Sequence, residues 1–293
     1  MTEKWLVTGG TGQVGMALRR NPPPEVQIVA PSRSDLDLAN LPALDLSGYS
    51  AVINCAAYTA VDMAESEPEL AHAINAEGAG RLARAAAIAG IPFVQVSTDY
   101  VFGDGTGPWR EDALIAPTSV YGTSKAAGEQ AVTASGARYA IVRTAWVISA
   151  DGGNFIKTML RLGAERDTVR VVADQRGTPT HAGDLATALA AIAAGLIADP
   201  GQKSGVWHCT NTGETTWHGL ASHVFATAAR LGLKTPTTLE AISTADYPTP
   251  ARRPADSRLD CGKIGRDFGI SLRPWQDAVD AIVADLASQG QVA

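Results

Sequence analysis

Through the first half of the chain, short apolar runs rich in β-branched residues alternate with longer alanine-rich stretches. Residues 4–8, 26–30, 51–56, 91–97 and 138–146 read as strands, with 51–56 a buried one. Residues 12–20, 68–89 and 118–134 read as helices. Regular β–α alternation of this kind implies a parallel sheet covered by helices on both faces.

After residue 150 the texture changes. Asp151-Gly152-Gly153-Asn154 reads as a turn, and most of the histidines follow it. Residues 236–254 form a long Pro- and Thr-rich stretch, and ordered loops of that length often line a binding site. The expected division is a first domain over 1–150 and a smaller, mixed α/β domain over 151–293, with room for later segments to return to the first sheet.

Composition narrows the class. At 45% hydrophobic and 18% charged residues, the chain can bury a sizeable core. Its net charge of −6, with no basic cluster, argues against nucleic acid as a partner. Three cysteines without CxxC spacing point to neither a disulfide framework nor a zinc site, and fit a reducing compartment. The N-terminus breaks into glycines before a signal-peptide core could form. The longest uncharged helical stretch, between Asp184 and Asp199, falls short of the ~20 residues of a membrane span. A cytoplasmic protein with no metal and no membrane partner is expected.

Candidate chemistry starts at Gly9, Gly12 and Gly15, spaced GxxGxxG between the first strand and the first helix. The first glycine permits a tight turn, and the second lets the backbone approach a pyrophosphate. The third lets the helix pack closely, while the helix N-terminus supplies N–H groups and partial positive charge. This is the context a dinucleotide site requires. An NAD-specific site usually carries an acid at the end of the second strand. Here Ala30-Pro31-Ser32-Arg33-Ser34 offers Arg33, whose guanidinium suits a 2′-phosphate, so NADPH is expected ahead of NADH.

Tyr121 and Lys125 are four residues apart on an expected helix, so phenol and ammonium share one face. Tyrosine ordinarily titrates near ~10, and a cation ~4 Å away at an effective dielectric of ~20 would lower that by about three units. Thr98 lies in Ser97-Thr98-Asp99 at the carboxyl end of a strand, where open α/β sheets bind ligands. Its hydroxyl is expected to hydrogen-bond a substrate carbonyl beside Tyr121. The polar loop 103–117 is long enough to double back over the site.

These residues resemble the extended short-chain dehydrogenase/reductase family, and the resemblance runs essentially end to end. It is carried by TGQVG at 11–15, AYTAVD at 57–62, AESEP at 64–68, STDYVF at 97–102, VYGTSK at 120–125 and RTAWV at 143–147. Further matches are Asn154-Phe155, Asp174-Gln175, GTPT at 177–180 and YPTPARRP at 247–254. The resemblance implies a Rossmann-type doubly wound sheet and reduction of the 4-keto group of a dTDP-4-keto-deoxysugar, dTDP-4-dehydro-L-rhamnose, to dTDP-L-rhamnose. Gly12, Gln13 and Val14 would form the phosphate loop, while Asp37, Leu38, Ala57, Tyr58 and Thr59 would contact the adenosine or ribose. Tyr121 would be the proton donor, with Lys125 its partner and Thr98 tuning the carbonyl. Thr98, Asp99, Trp146, Asn154 and Arg253 would contact the sugar nucleotide. Pro31 and Arg33 replace the acidic strand end of relatives that accept either cofactor. A homodimer is compatible with the resemblance. The glutamate-built magnesium site of some relatives is not carried over, because the first helix reads Gly15-Met16-Ala17-Leu18.

Three other readings share the fold. A 4,6-dehydratase needs an Asp-Glu pair after the threonine, whereas Tyr100 follows Asp99 here. A sister ketoreductase for another dTDP-deoxysugar would use the same triad. A non-catalytic nucleotide-binding subunit would have no need of Thr98, Tyr121 and Lys125 together. Among the remaining residues, His208 reads as a core or edge-strand histidine, and Asn75 as a helix-bending residue or a support for the site.

Overall fold

The computed structural model describes residues 2–290. Strands β1 (Glu3–Thr8), β2 (Val26–Val29), β3 (Ala51–Asn54), β4 (Phe93–Thr98), β5 (Tyr139–Thr144) and β10 (Gly205–His208) form a sheet in the order β10-β5-β4-β3-β1-β2. Every pairing in it is parallel. Chain progression reverses between β1 and β3, and ligand crevices open beyond the strand ends at such a switch point.

Both faces of the sheet are buried, as the strand composition requires. Trp5, Val7, Ile53, Val94 and Val142 face α1 (Gln13–Arg20) and α7 (Ala182–Ala198). Leu6, Val52, Phe93 and Ile141 point the other way, towards α4 (Ala79–Ala89) and α5 (Val120–Thr133). The period-two alternation thus feeds two cores instead of one core and solvent. The alanines of α7 let that helix lie close to the strands.

Residues 182–208, which form α7 and β10, return to this sheet from beyond residue 150, so no single cut separates two halves. The other C-terminal elements build a second layer. There α6 (Phe155–Glu165), α8 (Trp217–Arg230) and α10 (Trp275–Ser288) enclose a core with β7 (Thr168–Val172), which pairs in parallel with β12 (Thr238–Ile242). Two small ladders pair β6 (Val147–Ile148) with β9 (Thr180–His181) and β8 (Arg176–Gly177) with β11 (Thr215–Thr216). The short α9 (Gly262–Phe268) packs beside β10.

Three sequence expectations change here. The expected helix over 68–89 is α3 (Pro68–His72) and α4 joined by a π-helical segment, Ala73–Gly78, preceded by the short α2 (Val61–Ala64). The loop 103–117 does not cover the cleft. Its Trp109 stacks on Phe102, exchanges backbone hydrogen bonds with Arg258 and Asp260, and seals a small apolar cluster with Leu259. An indole gains more from that buried stack than from standing over an open cleft. The stretch 236–254 does not line the cleft either; it contributes β12 and then runs back to Asp62. No helix among the described residues is long and apolar enough to cross a membrane.

Candidate active site

The carboxyl ends of β1, β3, β4 and β5 open into a cleft of about 730 Å³, within the range of small-molecule sites. Its floor is the glycine turn. Gly9 has φ +70°, and a Cβ there would come within 2.7 Å of the Ala56 backbone nitrogen. A Cβ on Gly15 would collide with the Gly9 carbonyl, so the first turn of α1 can sit tight on the strand end only as glycine. Gly12 caps α1 without any side-chain hydrogen bond. The first N–H groups of the helix therefore face the cleft uncapped, which is a cradle for phosphate. Arg33 and Asp37 stand at the rim, 3.8 Å apart, with Arg33 largely exposed.

On the opposite wall, β4 ends at Thr98 and α5 begins under the cap of Ser119, whose hydroxyl accepts from Gly122 N at 3.1 Å. The cap aims the first turns of α5 at the cleft, and Tyr121 and Lys125 both line it from buried positions. Their electrostatics differ from the sequence expectation. Burial pushes the Tyr121 phenol up to about 12, and the Thr98 hydroxyl pulls it back only in part. Lys125 does not depress it, because the ammonium turns to the Val96 carbonyl at 2.7 Å and is itself drawn down by burial to about 8.

Thr98 is also committed differently from expectation. Its hydroxyl donates to Asp99 Oδ1 at 2.9 Å and accepts from Tyr100 N at 3.2 Å. With its proton held by Asp99, the Thr98 hydroxyl is not free to donate to a carbonyl. Burial raises Asp99 to about 6, while the Ser257 and Thr98 hydroxyls pull it partway back. Among the described residues its Oδ2 has no partner in hydrogen-bonding geometry.

Asn75, in the π-helical segment, fixes this wall. Its Oδ1 accepts from Tyr58 N at 2.8 Å, and its Nδ2 donates to Tyr58 O at 3.1 Å and to Ser124 Oγ at 2.9 Å. The widened helical turn thereby locks the loop after β3 to the helix that carries Tyr121. At the far end of the cleft Trp146, Trp217 and Phe155 form an aromatic wall.

A model of the RmlD substrate binding domain family matches residues 3–288. The chain belongs to that family. The dTDP-4-dehydrorhamnose reductase of Sinorhizobium fredii is 42% identical over 291 residues, spanning 97% of this chain and 98% of its own length. A dTDP-4-dehydrorhamnose reductase crystal structure from Clostridium acetobutylicum superposes with a TM-score of 0.87 at 36% identity, covering 97% of this chain and 99% of that one. The Bacillus anthracis dTDP-4-dehydrorhamnose reductase, in complex with NADP, gives 0.84 at 34% identity, covering 97% and 100%.

In this RmlD-family chain the cleft gathers most of the residues singled out from sequence. Gly9, Gly12, Gln13, Val14, Gly15, Arg33, Asp37, Leu38, Ala57, Thr59, Thr98, Asp99, Tyr121, Lys125, Trp146 and Asn154 all line it. Two candidates do not. Tyr58 turns its hydroxyl to Glu67 at 2.6 Å. Arg253 forms a two-pronged pair with Asp62, at 3.0 and 2.8 Å. The guanidinium, half-buried, satisfies itself on the nearest carboxylate. Asn154 lines the cleft but spends its side chain on structure: its Oδ1 caps α6, and its Nδ2 donates to Ser149 O at 2.7 Å and Gln13 Oε1 at 3.2 Å. Sequence reading missed Phe155 and Trp217, which a search for aromatics facing Trp146 across the chain would have found only with the fold in hand.

Proposed function

We propose that this chain reduces the 4-keto group of dTDP-4-dehydro-L-rhamnose to dTDP-L-rhamnose, with NADPH as reductant. The reading rests on its family, on relatives named for that reaction, and on one observation above all. Thr98, Tyr121 and Lys125 share a cleft with an uncapped helix N-terminus behind a glycine turn. That turn has room for backbone to approach a diphosphate and none for a Cβ at Gly15, so the residues present suit a dinucleotide.

Gly12, Gln13 and Val14 would hold the cofactor diphosphate, Arg33 its 2′-phosphate, and Lys125 the nicotinamide ribose. When bound, the dihydronicotinamide supplies a hydride to the sugar carbonyl carbon. Tyr121 supplies the proton. Reduction calls for a protonated phenol, and burial keeps it protonated throughout the physiological range. The forming alkoxide is far more basic than a phenolate, so the proton passes downhill. With both ligands bound, Lys125 would turn from the Val96 carbonyl to stabilise the phenolate left on Tyr121, and Thr98 would orient its hydroxyl. Trp146, Trp217 and Asp99 would hold the sugar nucleotide. Residues 1–150 with the returning segment 182–208 would carry the cofactor, and the second layer the sugar. Both small molecules are charged nucleotides that cannot cross a membrane unaided, which suits a cytoplasmic enzyme.

The test is loss of NADPH absorbance with enzymatically prepared dTDP-4-dehydro-L-rhamnose, and identification of the product. Rapid oxidation yielding dTDP-L-rhamnose is expected. Tight NADPH binding without oxidation would overturn the reading.

A further inference from the structure

The face of α5 that carries Tyr121 and Lys125 continues one turn further, to Glu129. Glu129 is buried, and its carboxylate takes three hydrogen bonds. Oε1 accepts from Ser97 Oγ at 2.5 Å and Arg143 Nε at 2.9 Å, and Oε2 from Arg143 Nη2 at 2.7 Å. Arg143 is buried as well and anchored at its other end. Its Nη1 reaches the Glu111 carbonyl and His208 Nε2, each at 3.4 Å, and the guanidinium lies 5.0 Å from the Phe102 ring centre. A buried ion pair is no more stabilising than well-packed apolar residues of the same volume, so fold stability alone does not account for it.

Lys125, one turn away, is a buried ammonium that donates to the Val96 carbonyl. The groups facing it are Tyr121 and Glu129 on its own helix, Cys55 from the end of β3 and Asp99 at the end of β4. Burial pushes the Cys55 thiol and the Tyr121 phenol each up to about 12, so both are neutral. Asp99 is tied to Thr98 and bears on Tyr100 and Tyr121. The Glu129 carboxylate is the chief charge that raises Lys125 against the effect of burial.

We infer that Glu129, clamped by Ser97 and Arg143, is a positioning residue for the proposed reduction: its fixed negative charge keeps Lys125 an ammonium beside Tyr121. The inference rests on the function proposed above, and its test separates the two. Glu129→Gln removes the carboxylate charge alone, and Glu129→Leu combined with Arg143→Met, which removes a cation with it and so shifts the profile less in the same direction, is the second variant should the first not fold. The alkaline limb of the kcat–pH profile should move down by roughly one unit. Loss of turnover would then be roughly tenfold greater at pH 9 than at pH 6.5. The pH dependence of Lys125 acetylation by acetic anhydride, read by peptide mass spectrometry without turnover, should shift by the same amount. An unmoved acetylation profile, or a turnover loss equal at every pH, overturns the inference. A wild-type enzyme that does not oxidise NADPH overturns the functional reading instead, and the acetylation profile still decides the role of Glu129.

Discussion

The indoles of Trp146 and Trp217 stack with ring centroids 3.5 Å apart and planes 9° from parallel. Trp146 follows β5 of the large sheet and Trp217 opens α8 of the second layer, so the stack closes the cleft where the two layers meet. Trp146 holds a left-handed backbone at φ +46°, uncommon for a bulky residue. Gly177 lies flat against it, and a Cβ there would come within 2.5 Å of the indole Cε2. The Trp217 Nε1 donates to Gln175 Oε1 at 3.1 Å, which fixes the second ring. An aromatic pair of this kind contributes about 0.5–1.5 kcal/mol beyond area burial. Trp217→Ala should therefore raise KM for the sugar nucleotide by roughly 3- to 10-fold and leave NADPH affinity unchanged, as read by steady-state kinetics and NADPH fluorescence titration. Equal losses for both ligands would place the wall on the cofactor side.

Tyr121→Phe removes one oxygen from a buried ring and leaves the packing of α5 intact. Turnover should fall by about 10²- to 10⁴-fold, the range for loss of a general acid, with NADPH Kd within a few-fold of wild type. Near-normal turnover in this variant would rule out the phenol as proton donor.

Arg33 is largely exposed at the cleft rim, and its contact with Asp37 is a long one, so it is available to a 2′-phosphate. Arg33→Ala should weaken NADPH binding by about tenfold or more and NADH binding little, since a charged hydrogen bond contributes about 1.5–3 kcal/mol. Binding titrations with both nucleotides check this. A matched loss for the two would make Arg33 an ordinary surface residue.

His208 is wholly buried, and burial together with the Arg143 charge pushes it down to about 3. Arg143 Nη1 can only donate, so His208 Nε2 accepts and its Nδ1–H donates to the Trp109 carbonyl at 3.1 Å. The unfolded chain takes up a proton on this residue near pH 6.5, whereas the folded chain does so only near 3. Stability is therefore complete above pH 6.5 and declines as pH falls, by up to about 1.4 kcal/mol per unit. Between pH 7 and pH 5 the wild type should lose about 2 kcal/mol more than His208→Gln in urea unfolding. Parallel losses in the two proteins would contradict this.

Much of the site was legible in the chain itself, because it rests on contiguous residues. A left-handed turn at Gly9, helix packing at Gly15 and two side chains four apart on one helical face are local geometry, set by sterics and the helical period. Thr98 at a strand end follows from the same short-range pattern. What the fold alone decided depends on partners far apart along the chain. Arg253 meets Asp62 across 191 positions, Trp217 meets Trp146 across the two layers, and α7 with β10 returns to a sheet begun near the N-terminus. The charge states also belong to the tertiary structure. Lys125 was expected to lower Tyr121, yet burial governs both groups, and burial is a property of the whole assembly. Spacing brings two side chains to one face; only the packed protein sets the dielectric around them and supplies the Val96 carbonyl and the Glu129 carboxylate that Lys125 answers to.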